Sequence, residues 1–152
     1  MYAPHTVTIY NVTHETDPET FKDTRKSYVT ILRGVMLQAS KAANVSTSGL
    51  ESADSVNLFI PFTAKAVDGV TGQEKRYAGP CEFWSASDKS GLWTLSVDDR
   101  GGTTFFVKGE AVEPDKTVQE IEKLYDDVHK VTKVDVRDFG SAEMRHWQVG
   151  GA

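Results

Sequence analysis

The sequence predicts a mainly β protein: a small barrel or sandwich of seven to eight short strands, with one α-helix in the C-terminal half and one long polar loop. Three observations lead there. Several runs alternate apolar and polar residues with the period of two that turns one face of a strand inward. Turn signals separate these runs at regular spacing, the pattern of barrels and sandwiches. Only one stretch carries a convincing helical period.

Taken in order, His5 to Val12 alternates: Val7 and Ile9 point one way, Thr6, Thr8 and Tyr10 the other, as in a half-buried strand. Asp17-Pro18 is a turn signal. Tyr28 to Gln38 is rich in β-branched and apolar residues, and Gly34 interrupts it, so two strand segments are expected with a bulge or kink at Arg33-Gly34. Ala39 to Asp54 changes character. Ser40, Asn44, Ser46, Thr47, Ser48, Gly49 and Ser52 leave few large apolar residues, and the stretch is expected as a long flexible loop. In the next run Val56, Leu58, Ile60 and Phe62 share a face, with Pro61 in the opposite phase suggesting a sheet edge. Asp68-Gly69 and Thr71-Gly72 mark a turn.

Arg76 to Trp84 is expected as extended chain broken by Gly79-Pro80. Asp88-Lys89-Ser90-Gly91 then forms a hairpin turn between Glu82–Ser87 and Leu92–Val97. Thr103 to Val107 is a further strand. Over Thr117 to Val128, Val118, Ile121, Leu124, Tyr125 and Val128 fall at helical spacing, and Thr117 with Glu120 forms a capping box. Lys130 to Arg137 follows as a strand, Met144 to Val149 as a last one, and Gly150-Gly151-Ala152 as a mobile tail.

With 152 residues the chain suits one domain, spanning 1–152, able to bury a core without staples. Its one cysteine, Cys81, excludes an internal disulfide and a CxxC metal knuckle, which points to a reducing cytoplasm. The N-terminus lacks a basic region and an apolar run, so no signal peptide is expected, and no stretch suffices to span a bilayer. The sequons at Asn11 and Asn44 are short enough to arise by chance. A net charge of −5 gives little counterion release on DNA, which argues against tight phosphate binding.

No catalytic pattern emerges, and neither a cofactor nor a metal is expected. His5, His14, His129 and His146 have no metal-type spacing. Asp126 and Asp127 are adjacent on a helix, point apart and suit a solvated helix end better than an acid–base pair. P-loop, G-x-G-x-x-G and G-x-S-x-G motifs are missing. Cys81 suits a small buried hydrophobe. Trp84, Trp93 and Trp147 could stack nucleobases, but the residues around Trp84 and Trp93 are mostly acidic, so core or subunit packing fits better.

Three stretches add a resemblance. His5-Thr6-Val7-Thr8-Ile9-Tyr10-Asn11 resembles the start of small phage neck proteins. Ser90 to Leu95 with Phe106-Val107-Lys108-Gly109-Glu110 is similar to the same group. The most specific match is Lys123 to Val128, Val131 to Val134, Phe139-Gly140-Ser141 and Met144-Arg145-His146-Trp147-Gln148-Val149-Gly150-Gly151. Together they resemble the head-closure, or stopper, proteins of long-tailed bacteriophages. The resemblance implies a small β-barrel in a six- or twelve-fold ring of its own copies. A portal and adaptor ring would lie on one side and a tail terminator or tail tube on the other. Packaged double-stranded DNA would pass through without sequence-specific binding. The virion neck is the implied location, after synthesis in the bacterial host cytoplasm, with no membrane partner and no enzymatic activity.

Under that resemblance the long loop becomes a channel plug or an inter-ring clasp, with Ala39, Lys41, Asn44, Ser48, Gly49, Glu51 and Asp54 as its candidate residues. Arg145, His146, Trp147 and Gly150 form a candidate subunit-contact tail. Adaptors and tail terminators carry more helix than this chain. The remaining rivals are another β-rich ring protein, such as a tail-tube or tail-completion protein, and a single-strand nucleic-acid-binding β-barrel.

Overall fold

A computed structural model describes residues 3–16, 18–40, 43–46, 49–52, 55–97, 102–111, 118–125, 127–141 and 144–151. The mainly β fold stands, with two short helices among the described residues. In chain order the elements are β1 (His5–Thr16), β2 (Asp23–Ser40), β3 (Ala43–Ser46), β4 (Gly49–Ser52), β5 (Ser55–Pro61), β6 (Lys65–Asp68) and β7 (Arg76–Tyr77). They continue with α1 (Pro80–Ser85), β8 (Leu92–Trp93), β9 (Gly102–Lys108), α2 (Val118–Leu124), β10 (Val128–Arg137) and β11 (His146–Gly151).

The main sheet has seven strands in the order β1-β9-β10-β11-β5-β2-β6, and a further β1–β2 ladder joins its ends. Hydrogen bonding therefore runs in a closed ring through six strands, with β6 beside β2. Each of those six strands thus has a partner on both sides along part of its length. β2 makes it possible. Along one edge it pairs with β1 from Asp23 to Val35, and along the other it pairs with β6 and then with β5. The predicted break at Arg33-Gly34 is a bulge inside this one strand. His5 lies opposite Val35 and Thr6 opposite Arg33, leaving Gly34 as the extra residue at φ 82°, a conformation that favours glycine.

Val7 and Ile9 face the main core with Leu32, Val35, Leu37, Val56, Leu58, Ile60, Phe106, Val131 and Val149. Each such fully buried side chain contributes about 2 kcal/mol of transfer free energy. Gly151 belongs to this packing, since a Cβ there would come within 2.9 Å of the Phe106 ring and 2.7 Å of Val56. β1 is not half-buried as expected, for its second face is covered too. Tyr10 and Val12 pack with Val29, Phe105, Val107, Ala111 and Ile121 of α2. Tyr10 and Phe105, paired in the β1–β9 register, stack at 4.7 Å. Thr8 ties the chain after β9 to this face: its hydroxyl donates to the Gly109 carbonyl and accepts from the Ala111 N–H.

Several expectations are corrected. Residues 80–85 are helical, not extended: Pro80 stands at the first helical position, where its missing N–H costs nothing, and Phe83 is the one buried residue. The Glu82–Ser87 hairpin therefore does not form, and β8 pairs parallel with β7 instead. Pro61 ends a strand paired on both sides, to β11 and β2, so β5 is not an edge. α2 is shorter than predicted. Its Ile121 is buried but Leu124 is 55% exposed, and Val128 already belongs to β10. The capping Thr117 and Asp126 lie outside the described residues. Gly150 and Gly151 are part of β11 rather than a mobile tail, because they pair with Asn57 and Val56. Cys81 is exposed, not buried.

Two buried polar residues fix the strand positions. Asn11 follows Val7 and Ile9 on the inward phase and is fully buried. Its Nδ2 donates to the Thr94 carbonyl and to Thr104 Oγ1, each at 3.0 Å, and its Oδ1 accepts from the Thr94 N–H at 3.2 Å. The side chain thus pairs with Thr94 as a neighbouring strand would, and it is no glycosylation acceptor. Lys75 Nζ, with its side chain fully buried, donates to the Val29 carbonyl and Thr30 Oγ1 at 3.0 Å and lies 3.3 Å from Asp68 Oδ2. Burial lowers the Lys75 pKa against the opposing pull of Asp68. Burial also pushes the Asp68 carboxyl up, but the N–H groups of Thr71 and Val70 and the Lys75 ammonium outweigh it and hold it below 3.8.

Replacing Asn11 by Ala orphans both main-chain groups of Thr94 and lowers unfolding free energy by about 3 kcal/mol, measured by urea denaturation with an unchanged m-value. The depressed Asp68 pKa adds stability that is fully present above the unfolded value of 3.8 and is lost as pH falls through the lower folded value. As pH falls through and below 3.8, stability of the native chain therefore drops more steeply than that of Asp68→Asn. Parallel slopes for the two proteins would contradict this assignment.

Candidate functional site

The segment expected as a long polar loop is largely strand. β2 pairs with β5 from Met36↔Phe59 to Ser40↔Ser55, and β3 pairs with β4 from Ala43↔Ser52 to Ser46↔Gly49. The two ladders share one register: the residue numbers of each pair add to 95 in both. β3–β4 is thus the outward continuation of the β2–β5 ladder, an arm leaving the closed ring of strands. Among the described residues, β3 and β4 have ladders only with each other. Of the seven candidate residues, Ala39 stands at the root of the arm opposite Val56. Asn44 pairs with Glu51, and Gly49 with Ser46. Lys41, Ser48 and Asp54 lie outside the described residues.

The candidate tail forms a second surface. Trp147 packs on Phe62, Tyr77 and Trp93, with ring centroids 4.4, 4.5 and 5.6 Å away. The Phe62 N–H donates to the Arg145 carbonyl, and Arg145 Nε lies 3.9 Å from Asp138 Oδ1. His146 Nδ1 is 2.8 Å from the Met144 carbonyl, and its ring lies 5.8 Å from Phe59. These three residues meet at one end of the sheet. Gly150 does not join them. It lies further along β11, between Lys133 and Asn57, one pair from the Gly151–Val56–Ala39 row at the arm's root. Beside Trp147 the chain exposes Phe62 and Val136 (36% and 56%), and Phe139 and Met144 (69% and 64%) are exposed between β10 and β11. The expected site omitted all four. An apolar residue in a polar turn, such as Phe139 beside Gly140-Ser141, is the signal that could have found them.

Little in these surfaces suits covalent chemistry. A groove of about 470 Å³ at Ala3, Arg33, Gly34, Thr63 and Lys65 has, among the described residues, cationic side chains as its ionisable lining. Among the described residues, no group of three or more His, Cys, Asp or Glu could hold a metal ion. In the same residues no helix is long and apolar enough to cross a membrane. Trp93 is 3% exposed within the core, which removes it as a base-stacking platform.

The chain is a mainly β protein with a hydrogen-bonded ring of strands, a two-stranded arm and an aromatic end. The chain belongs to DUF6751, a family of unknown function, whose profile matches residues 2–152. No curated protein and no solved structure matches it.

The aromatic end separates structure from surface. Trp147→Ala should cost about 3 kcal/mol of stability, since three rings lose their partner. Phe139→Ser should stay within about 0.5 kcal/mol, because that ring is mostly in solvent. Thermal melts of the two variants check the contrast.

Proposed function

We propose that the protein is a structural component of the neck of a tailed bacteriophage. In this reading it forms a stopper-like ring between the portal and adaptor on one side and the tail on the other, helping to close the DNA channel and join head to tail. The observation that carries it is the register-continuous arm. A stopper needs an element that leaves the subunit body and reaches across a channel or to the next ring, and the segment singled out for that role is a hairpin projecting from a closed sheet. An isolated two-stranded ribbon is marginal in water, so a neighbour that adds a strand or packs on a face is the natural way to stabilise it.

The net charge of −5 supports the same reading, because an acidic channel wall lets DNA slide without adhering. The resemblance of the chain's beginning and end to head-closure proteins supports it as well.

Removing 44–52 shortens the arm and leaves the β2–β5 ladder intact. The variant should fold, with a melting temperature within about 3 °C of the native chain. Heads assembled with it should package DNA but fail to retain it, measured as nuclease-accessible DNA after packaging. Normal retention sinks the plug role. Absence of the protein from purified virions, read by mass spectrometry, sinks the neck assignment altogether.

A further inference from the structure

We infer that the groove beside the Gly34 bulge is an oxyanion site, which takes a carboxylate or phosphate group between Arg33 and Lys65. These two residues stand directly opposite each other in the β2–β6 ladder. Directly opposed side chains of an antiparallel pair share a face, and like charges placed there are destabilising. The ladder alone gives no reason for such a pair. A group of opposite charge seated between them does, because it replaces one repulsion by two charge-assisted hydrogen bonds.

The groove has room for that group. Both cations line it, with Thr63 as the other polar side chain and Pro61 and Ala64 as apolar wall. Its volume of about 470 Å³ is that of a small-ligand cleft. Gly34 keeps the space beside Arg33 clear: at φ 82° it carries no side chain, and nothing lies within 4 Å of where a Cβ would stand.

The two positive charges are only partly met from within the chain. Arg33 Nη2 donates to Glu110 Oε1 at 2.7 Å, with both side chains about half exposed. That contact uses one guanidinium nitrogen, and among the described residues Arg33 makes no second side-chain hydrogen bond. Glu110 arrives from the β1 side. The N–H of its neighbour Gly109 donates to the carbonyl of Thr6, which flanks Arg33 on the side away from Lys65. Lys65 is exposed and, among the described residues, has no carboxylate partner. One positive charge is thus left over in a chain whose net charge is −5. An oxyanion in the groove would accept from Lys65 and from the remaining N–H groups of Arg33.

Thermal melting of the full-length protein in sodium phosphate or sodium acetate, against sodium chloride at equal ionic strength, tests this. Equal ionic strength removes general screening from the comparison. Phosphate should raise the native melting temperature with its concentration, as a ligand of the folded state does. Lys65→Gln should weaken the apparent affinity by about tenfold. Glu110→Gln removes the internal competitor for Arg33 and should tighten it by about threefold. Both substituted residues are exposed, so circular dichroism should stay native. Sedimentation velocity in the same buffers identifies the source of the oxyanion. A coefficient that falls on adding phosphate assigns it to an acidic side chain of a second copy. An unchanged coefficient with the melting shift retained assigns it to a free anion. No shift of the native chain with either anion overturns the site. A shift equal in the native chain and Lys65→Gln marks an adventitious ion only and overturns it too.

Discussion

β2 carries the architecture because it is long enough to be used twice. Eighteen residues allow one edge to hold β1 over its whole length while the other holds β6 and then β5. Closing a ring of strands requires a strand that changes partners along its length, because closure staggers neighbours against one another. The Gly34 bulge falls where β1 begins and the β5 pairing takes over. Beyond that point β2 no longer pairs with β1, and Leu37 N–H finds its acceptor in the His5 ring instead. The arm strands β3 and β4 then keep the register that β2 sets with β5. Closure of the hydrogen-bonded ring and the alignment of the hairpin are two consequences of one long strand.

Much of this was legible in the sequence where the signal was local. The alternation in His5–Val12 and Val56–Ile60, the Asp68-Gly69 turn and the Gly34 bulge all depend on residues that meet their neighbours in sequence. What was not legible depended on distant partners. Tyr10 and Thr8 look like a solvent face until α2 and Gly109–Ala111 are seen to cover them. Residues 80–85 are too few for a helical period to show, and Pro80 signals both a helix start and a broken strand. The arm's sequence is polar and small, which suggests a loop. Its strands follow instead from the shared register with β2 and β5, which no local window contains.

The candidate sites divide in the same way. Arg145, His146 and Trp147 are consecutive, so their grouping was visible, and the β10–β11 hairpin turn keeps them together. The residues that make this end a surface, Phe62 and Tyr77, arrive from more than 60 positions away and could not be paired with Trp147 by spacing. Gly150 was grouped with the tail by adjacency, yet strand period and register place it near the arm. Sequence proximity along a strand is thus a poor guide to shared function once the strand crosses the whole sheet.

The buried polar groups bear on specificity more than on net stability. An apolar side chain at position 11 would fit the inward phase of β1 and would tolerate a slide of the Thr94 segment along it. Asn11 tolerates no slide, because its amide matches one main-chain donor and one acceptor of a single residue. Lys75 acts likewise between β2 and the turn at Asp68: its three oxygen partners come from two separate elements and coincide at one alignment only. A sheet packed by apolar side chains alone admits several near-equivalent registers. Two fully buried polar anchors, each costly to leave unpaired, remove those alternatives. A fixed register matters here beyond the core. The arm inherits its alignment from the β2–β5 ladder, and Trp147 inherits its place from the β10–β11–β5 ladders. A slip of one residue in the body would turn both surfaces to the wrong face.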